Sequence, residues 1–195
     1  YKFQCSDIQR DERKDIFDLA TTNLALSISA TDATIQGYDT SKFTLVAHGA
    51  SYSDAPSQTV GYIRIDKETI RYTGKTATNF TGCTRGALNT KAEAHQIDPG
   101  AAQERRAKIE EYVYLEMPAV KLIYAILTGK LYGHGANTLP SAWHLGIADS
   151  YVRLADLTGI GADLWNTADD TKGIVTRFEG LGKQDGKQFI EKELL

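Results

Sequence analysis

The sequence predicts an α+β fold that is mainly β, and three observations lead to it. Between residues 61 and 95, short apolar runs alternate with polar residues at a period of two and are separated by turn residues, which is typical of an antiparallel β-meander. Residues 118–128 carry apolar side chains at helical spacing. The composition also changes near residue 102, so we expect a small antiparallel β-barrel, residues 24–102, inserted into a mixed α/β domain made of residues 1–23 and 103–195.

The first part of the chain leads into the predicted barrel. Residues 1–5 alternate and predict a strand, whereas the charged stretch 7–18 fits a loop or a helical turn equally well. Residues 24–29 and 43–47 alternate again and predict the first barrel strands. The stretch 49–58 is rich in Ser, Ala and Asp and predicts an exposed loop.

The predicted meander has a defined apolar face. Ile63 and Ile65 share one face of its first run, and Ile70 and Tyr72 share one face of its second run. Residues 66–67 between these runs predict a tight turn, because Asp is a frequent turn residue. A third alternating run around residue 80 completes the meander.

The segment after the predicted barrel mixes strand and helix patterns. Residues 89–102 predict a loop, and residues 108–116 alternate in a way that favours a strand, with a helix as the open alternative. Pro118 suits the first position of a helix and Gly129 its C-terminal cap, so residues 118–128 predict the helix. Residues 174–178 predict a strand, and Asp185 is a suitable N-cap for a final helix.

The inserted arrangement has structural consequences. The two ends of an inserted domain lie close together, so we expect Asn23 and Gln103 to be neighbours and residues 1–5 to pair with strands after residue 103. Two apolar clusters are expected, namely Leu26, Ile28, Ile63, Ile65, Ile70 and Tyr72 in the barrel, and Val113, Leu115, Ile123, Leu127 and Phe178 in the other part. Few contacts should cross the boundary, so a Gly/Ser linker in place of residues 24–102 should leave a folded protein.

Composition argues against several classes of protein. The formal net charge of −3 gives no reason to expect a basic surface that binds nucleic acid. No run approaches the about 18 apolar residues that a membrane span requires. Cys5 and Cys83 are too few for a disulfide framework and are expected to be small buried or half-buried thiols. The chain starts at Tyr1, and we interpret it as a piece of a larger protein.

The sequence contains no set of residues typical of catalysis or metal binding. The histidines lie at scattered positions, without the spacing of a helical metal pair: His48, His95, His134 and His144. Glu110 and Glu111 would point to opposite faces of one strand, and Asp169 and Asp170 lie in a turn-like stretch, so neither pair suits glycoside hydrolysis. We therefore expect a protein that is not an enzyme and has no cofactor and no bound metal, with a hydrolase as the least favoured alternative.

Four residues of the meander are singled out as a structural motif: Glu68, Arg85, Gly86 and His95. Gly86 is expected to supply a backbone conformation that a side chain would forbid. Arg85 can pair bidentately with Glu68 on the neighbouring strand, because a guanidinium fork matches a carboxylate. A structural role for His95, with hydrogen bonds to backbone, is favoured over a catalytic or ligand-binding role.

The same stretch carries a resemblance to a known family. The pattern GYIRID-E-IRYTG…F-G-TRG…T-A-AH resembles a segment of tail proteins of long-tailed bacteriophages. The resemblance extends to YKFQCSDIQRDERKDIF before it, and to EEYVYLEMPAVKLIYAILTGKLYG…LPSAWHLGI and DGKQFIEKELL after it. Over nearly its whole length the chain is similar to the tail-tip (baseplate) hub protein of siphophages and prophages, through motifs that are structural and not catalytic.

The resemblance implies a structural protein of the virion. Such a protein lies at the phage tail tip, is made in the host cytoplasm, and is part of the hub that closes the tail tube. The implied partners are two further copies of the chain in a homotrimer, the distal tail or tail tube protein, the tape-measure protein, and fibre or spike proteins. The resemblance implies neither catalysis nor a cofactor.

An alternative function starts from the aromatic residues of the predicted barrel. Tyr38, Tyr52, Tyr62 and Tyr72 are the candidates for stacking on sugars, and small barrels bind oligosaccharides. The alternative is therefore a carbohydrate-binding β-module that contacts the host surface. Glycan binding that is lost on Tyr→Ala changes would favour this alternative, whereas an oligomer with tail partners and no glycan affinity would favour the tail hub.

Overall fold

The computed structural model of the chain describes residues 15–47, 59–98, 100, 102–131, 138–152, 175–180 and 184–185. Their strands are β1 (Asp15–Ile16), β2 (Thr21–Asn23), β3 (Thr34–Gln36), β4 (Val46–Ala47), β5 (Thr59–Ile65), β6 (Glu68–Tyr72), β7 (Gly74–Lys75), β8 (Asn79–Thr81), β9 (Thr84–Ala87), β10 (Lys108–Pro118), β11 (Val175–Gly180) and β12 (Gln184–Asp185). The helix is α1 (Ala119–Thr128), and short 3-10 turns span Gln103–Arg105, Ser141–Trp143 and Asp149–Tyr151. The predicted strand 1–5, the loop 49–58 and the final helix lie outside the described residues.

The strands form open antiparallel sheets. The largest sheet has the order β11-β10-β5-β6-β9, with β2 and β4 pairing additionally with β10 and β5. A second sheet has the order β3-β8-β7, and β1 pairs with β12. The predicted class, α+β and mainly β, is confirmed. The predicted barrel is not closed within the described part of the chain, because the second edge of β5 is occupied by β10 and β4.

The hairpin of β5 and β6 forms where the sequence predicts it. Ile63 pairs with Ile70 and Ile65 pairs with Glu68, which leaves Asp66 and Lys67 as a two-residue turn. Asp66 has a φ of 52°, a left-handed conformation that Asp tolerates better than most side chains. The third predicted run is wrong as a single strand, because the chain breaks at Gly82, with a φ of 61°: β8 joins the second sheet, and β9 alone pairs with the free edge of β6.

The long strand β10 joins both predicted parts of the chain. It pairs with β2 through Lys108 and Asn23, with β5 through Ile109 and Ile65, and with β11 further along. The N–H of Leu24 also donates to the carbonyl of Ala107, at 2.9 Å, so the chain enters and leaves residues 24–102 at neighbouring points. The strand predicted over residues 108–116 is thereby confirmed, and its helical alternative is wrong.

Contacts across the predicted boundary are extensive. Ile109, from the second part, packs in one buried cluster with Ile63 and Ile65, whereas Val46, from the predicted barrel, packs in the other cluster with Val113. The expectation that few contacts cross the boundary is therefore wrong, because the apolar face of β5 continues into β10 across a shared ladder. The division into two domains stays a prediction.

Three apolar clusters form the core of the described residues: a small one contains Val60, Tyr62, Tyr112 and Tyr114, and the other two correspond to the predicted clusters, with some different members. One contains Leu24, Ile28, Ile35, Phe43, Ile63, Ile65, Ile70, Tyr72, Phe80 and Ile109, and the other contains Phe17, Val46, Val113, Leu115, Leu122, Ala125, Ile126, Leu131, Leu139 and Trp143. Leu26 was expected in the first cluster but is 57% exposed. The reason is a bend at residues 25–26, which turns Leu26 outward between buried Leu24 and Ile28.

The helix lies where the sequence predicts it, with a different buried face. It begins at Ala119, directly after Pro118, and ends at Thr128. Gly129 follows with a φ of 83°, and its N–H donates to the carbonyl of Ala125 at 2.7 Å, as a glycine C-cap should. The predicted core residues Ile123 and Leu127 are only half-buried, because the helix turns Leu122, Ala125 and Ile126 towards β10 and the Trp143 segment instead.

Candidate functional site

A buried carboxylate, Glu68, lies at the centre of the predicted motif. It begins β6, directly after the hairpin turn, and its side chain is 1% exposed. Arg85 reaches it from the neighbouring strand β9, with Nε to Oε1 at 2.9 Å and Nη2 to Oε2 at 2.7 Å. The predicted bidentate pair is therefore present, and the Arg85 side chain is itself only 6% exposed. Such a charge-assisted fork is among the stronger hydrogen-bonding arrangements in proteins.

Backbone donors saturate the same carboxylate. The N–H of Gly86 donates to Oε1 at 2.9 Å, and the N–H of Glu93 donates to Oε2 at 3.3 Å. Gly86 has a φ of 62°, and a Cβ at this position would lie 2.8 Å from the carbonyl oxygen of Thr90. The close passage of the backbone around the carboxylate therefore requires glycine at position 86.

His95 adds a further contact from the segment that follows β9. Its Nε2 lies 2.8 Å from Oε2 of Glu68, and its Nδ1 lies 3.1 Å from Oδ2 of Asp66. Its backbone exchanges two hydrogen bonds with Ile28, at 2.9 and 3.0 Å. The backbone bonding is as expected for a structural histidine, whereas the two carboxylate contacts of the ring were not foreseen.

Arg85 extends the network to two more segments of the chain. Its Nη1 donates to the carbonyl of Ser29, and its Nη2 donates to the carbonyl of Glu93 at 2.6 Å. The network around Glu68 therefore ties together the segment after Ile28, the hairpin turn, β9 and the segment 93–95. The segment after Ile28 is distant in sequence from the other three pieces, so the network stabilises the tertiary arrangement and not one local turn.

The hydrogen bonds determine the charge state of the carboxylate. Burial by itself would raise the pKa of Glu68, but the donors of Arg85, His95, Gly86 and Glu93 together outweigh burial and lower the pKa to about 2. Glu68 is therefore ionised at neutral pH and acts as an acceptor of hydrogen bonds. A carboxylate with this pKa and no access to solvent is unsuited to general acid catalysis.

The lowered pKa predicts an acid-sensitive contribution to stability. The unfolded chain binds a proton at Glu68 near the ordinary pKa of 4.5, whereas the folded chain does so only near 2, so the contribution is present above 4.5 and lost as the pH falls towards 2. We expect the free energy of unfolding in urea to fall more steeply with acidification in the wild type than in Glu68→Gln. Circular dichroism at a series of pH values measures both slopes, and equal slopes would contradict the assignment.

Glu111 on β10 is a second buried carboxylate, and sequence reasoning, which considered it only as a possible partner of Glu110, did not predict this structural role. Its oxygens accept hydrogen bonds from the N–H of Ala20 at 3.0 Å, from the N–H of Thr44 at 2.8 Å and from the Thr44 hydroxyl. Glu110, by contrast, faces outward and pairs with Lys108 at 2.7 Å. The adjacent acids thus point to opposite faces, as predicted. The signal for Glu111 was its place in the alternation, on the same face as Ile109 and Val113.

The tyrosines considered for sugar stacking do not form an exposed platform. Tyr72 is fully buried in the first cluster, where its hydroxyl donates to the carbonyl of Thr44 at 2.5 Å. Tyr62 is buried on the opposite face of the sheet, 5.2 Å from the ring of Tyr114. The burial of Tyr72 confirms its predicted place in the apolar cluster of the meander, whereas sugar stacking would require both tyrosines to be exposed, and both are buried because both faces of the central strands are covered. Tyr38 is 37% exposed beneath the guanidinium of Arg106, and Tyr52 lies outside the described residues.

The remaining candidates offer no reactive arrangement. Cys83 is a free, half-buried thiol, and burial raises its pKa to about 11, so the unreactive thiol form dominates at neutral pH. Among the described residues, no group of three or more His, Cys, Asp and Glu side chains is arranged to hold a metal ion. No helix in that part of the chain is long and apolar enough to cross a membrane. Cys5, His48, His134, Asp169 and Asp170 lie outside it.

Comparison of the chain with protein-family models, curated proteins and solved structures gave no match. Its function is therefore inferred from its own residues and their contacts.

Proposed function

We propose that the chain is a structural component of a bacteriophage tail, part of the tail-tip hub that closes the tail tube and carries fibre or spike proteins. The observation that supports this proposal is that the motif residues serve as structural contacts. Glu68, Arg85 and His95 belong to the pattern that resembles tail proteins, their side chains are buried, and both Arg85 and His95 bond to Glu68. Their ionisable groups are engaged in holding the sheet together, which suits a scaffold.

The shared sheet supports the same proposal. A hub subunit has to hold its shape while neighbouring proteins contact it from several sides. β10 links the meander to β11 by continuous pairing, and Glu111 fastens the segments around Ala20 and Thr44 to it. In this proposal three copies of the chain form the hub, in contact with the distal tail or tail tube protein, the tape-measure protein and the fibre or spike proteins.

Labelling of intact particles tests the proposal. Antibodies raised against this chain, detected with gold in electron micrographs of phage particles that carry the full-length protein, should mark the tip of the tail and no other position. Tail particles that are complete but unlabelled, or labelled along the tube or on the head, would contradict it. Antibody absorbed with the purified chain serves as the control.

The alternative of host glycan binding has weaker support. Two of its four tyrosines, Tyr62 and Tyr72, are buried, and the exposed face of Tyr38 is shared with Arg106. We expect the purified chain to show no binding on a glycan array. Binding that is abolished by Tyr38→Ala, with the melting temperature unchanged, would favour the carbohydrate-binding module over the hub.

A further inference from the structure

Two exposed apolar side chains lie on one patch of the surface, around Arg106. In the described part of the chain, the large apolar side chains that are exposed are Leu26 at 57%, Tyr38 at 37% and Tyr151 at 71%. The Nη1 of Arg106 donates to the carbonyl of Ala25, the residue before Leu26, at 2.9 Å. Its guanidinium carbon lies 5.5 Å from the centroid of the Tyr38 ring. A single exposed apolar residue is ordinary, whereas apolar residues grouped beside polar ones mark an interaction site.

The patch formed by Leu26, Tyr38 and Arg106, the Arg106 patch, is fixed in place by hydrogen bonds. The N–H of Tyr38 donates to the carbonyl of Asn23 at 3.3 Å, and the N–H of Ala25 donates to the carbonyl of Gln36 at 2.9 Å. The side-chain amide of Asn23 donates in turn to the carbonyl of Arg106 at 3.1 Å. A partner therefore meets side chains that are already in position, which reduces the entropy lost on binding. Tyrosine and arginine are also among the residues that contribute most to protein interfaces.

The charges around the Arg106 patch are mainly positive. Among the described side chains, the basic ones around it are Lys42, Lys75, Arg105 and Arg106, and the acidic ones are Asp39 and Asp98. Lys108 and Glu110, which lie beside it, pair with each other at 2.7 Å. Four basic groups against two acidic ones leave an excess of positive charge, although the whole chain has a net charge of −3. Two copies of this patch would repel each other, so its charge favours an acidic partner over a second identical patch.

We propose that the Arg106 patch is the docking site for an acidic segment of another protein of the tail. Leu26 and Tyr38 supply the apolar anchors, and the basic side chains around them select a segment that carries carboxylates. Charged groups at the rim of an interface act mainly on the rate and selectivity of binding, so the apolar anchors provide most of the affinity. The inference rests on the proposed function, because a tail-tip hub contacts several different proteins.

Photo-cross-linking in assembled particles tests the site. A photoreactive amino acid in place of Leu26, in phage particles that carry the full-length protein, should attach to an acidic segment of a different tail protein, which mass spectrometry identifies. The same amino acid in place of Tyr151 is the matched control and should not attach to that segment. If the variant at position 26 does not assemble, exposed Arg105 at the rim is the second position, with the same expected result.

The outcomes separate this inference from the proposed function. Attachment at positions 26 and 105 only to another copy of the chain, to nucleic acid or to nothing would overturn the docking site. Particles without the chain at the tail tip contradict the proposed function itself. Particles that hold the chain there without this cross-link contradict the docking site alone.

Binding of the cross-linked segment tests the apolar anchor. The probe is a synthetic peptide with the cross-linked sequence, and fluorescence anisotropy measures its affinity for the purified chain. Leu26→Ser should lower this affinity about thirtyfold, as is typical of an interface anchor, and added salt should lower the affinity of the wild type. Tyr151→Ser should leave the affinity unchanged, and both variants should keep the melting temperature of the wild type because both side chains lie in solvent. Equal affinities of Leu26→Ser and the wild type would refute the docking site.

Discussion

Glu68→Ala should lower the free energy of unfolding by about 3–5 kcal/mol, as is typical when one partner is removed from a buried ion pair. The change leaves the guanidinium of Arg85 without its carboxylate, in a place where its side chain is 6% exposed. It also removes the acceptor of the Gly86 and Glu93 N–H groups and of His95. Urea unfolding followed by circular dichroism at neutral pH measures the loss.

Glu110→Ala is the matched control for this substitution. Glu110 also lies in the main sheet, but its carboxylate faces solvent and pairs with Lys108. Exposed pairs of this kind contribute about 0.2–1 kcal/mol, so the control should change stability by no more than that. If Glu68→Ala and Glu110→Ala destabilise the protein equally, the buried network does not stabilise the fold in the way its geometry indicates.

Replacing residues 24–102 with a Gly/Ser linker should yield an unfolded protein. The sequence alone predicts the opposite, because an inserted domain can be removed without harm to its host. In the structure, however, the removed residues include β5, which pairs with Ile109–Tyr112, and Thr44, which supplies two donors to the buried Glu111. The deletion would expose the edge of β10 and leave a buried carboxylate short of partners, a combination that a small domain does not tolerate.

Circular dichroism and limited proteolysis measure the outcome of the deletion. The complementary piece, residues 24–102, is the control and should also be unfolded, since it lacks β10 and with it Ile109 of its own core cluster. A deletion protein with a cooperative thermal transition would contradict the account of one shared sheet. It would then support the predicted division into two domains.

The sequence predicts the parts of the site that depend on neighbouring strands. Alternation and turn residues place Glu68 at the start of one strand and Arg85 on the next, so their pairing follows from the order of the meander alone. Sequence reasoning also predicts that position 86 requires glycine, and in the structure a Cβ there would meet the neighbouring backbone. The glycine that caps the helix is another local feature, and it too is found where predicted.

The parts that the sequence does not predict depend on contacts between distant segments. Nothing local to His95 indicates that its backbone pairs with Ile28 and that its ring meets Asp66. The partners of Glu111 are equally remote, at Ala20 and Thr44. The rotation of the helix about its axis depends on the residues of β10 and the Trp143 segment that pack against it. Periodicity therefore predicts where the helix begins and ends, but not which of its faces is buried. Leu26 is exposed because the backbone bends at residues 25–26, and the alternation of apolar and polar residues does not reveal a bend.

A double-mutant cycle between Glu68 and Arg85 tests most directly the claim that the motif residues act on each other as structural partners. The free energy of unfolding is measured for the wild type, for Glu68→Gln, for Arg85→Met and for the double variant. Since the two groups are mutual partners, the double variant should be more stable than the sum of the single losses predicts, by about 1.5 kcal/mol or more. Losses that add to within about 0.5 kcal/mol would show that the pair is not coupled, and would contradict the structural role assigned to the motif.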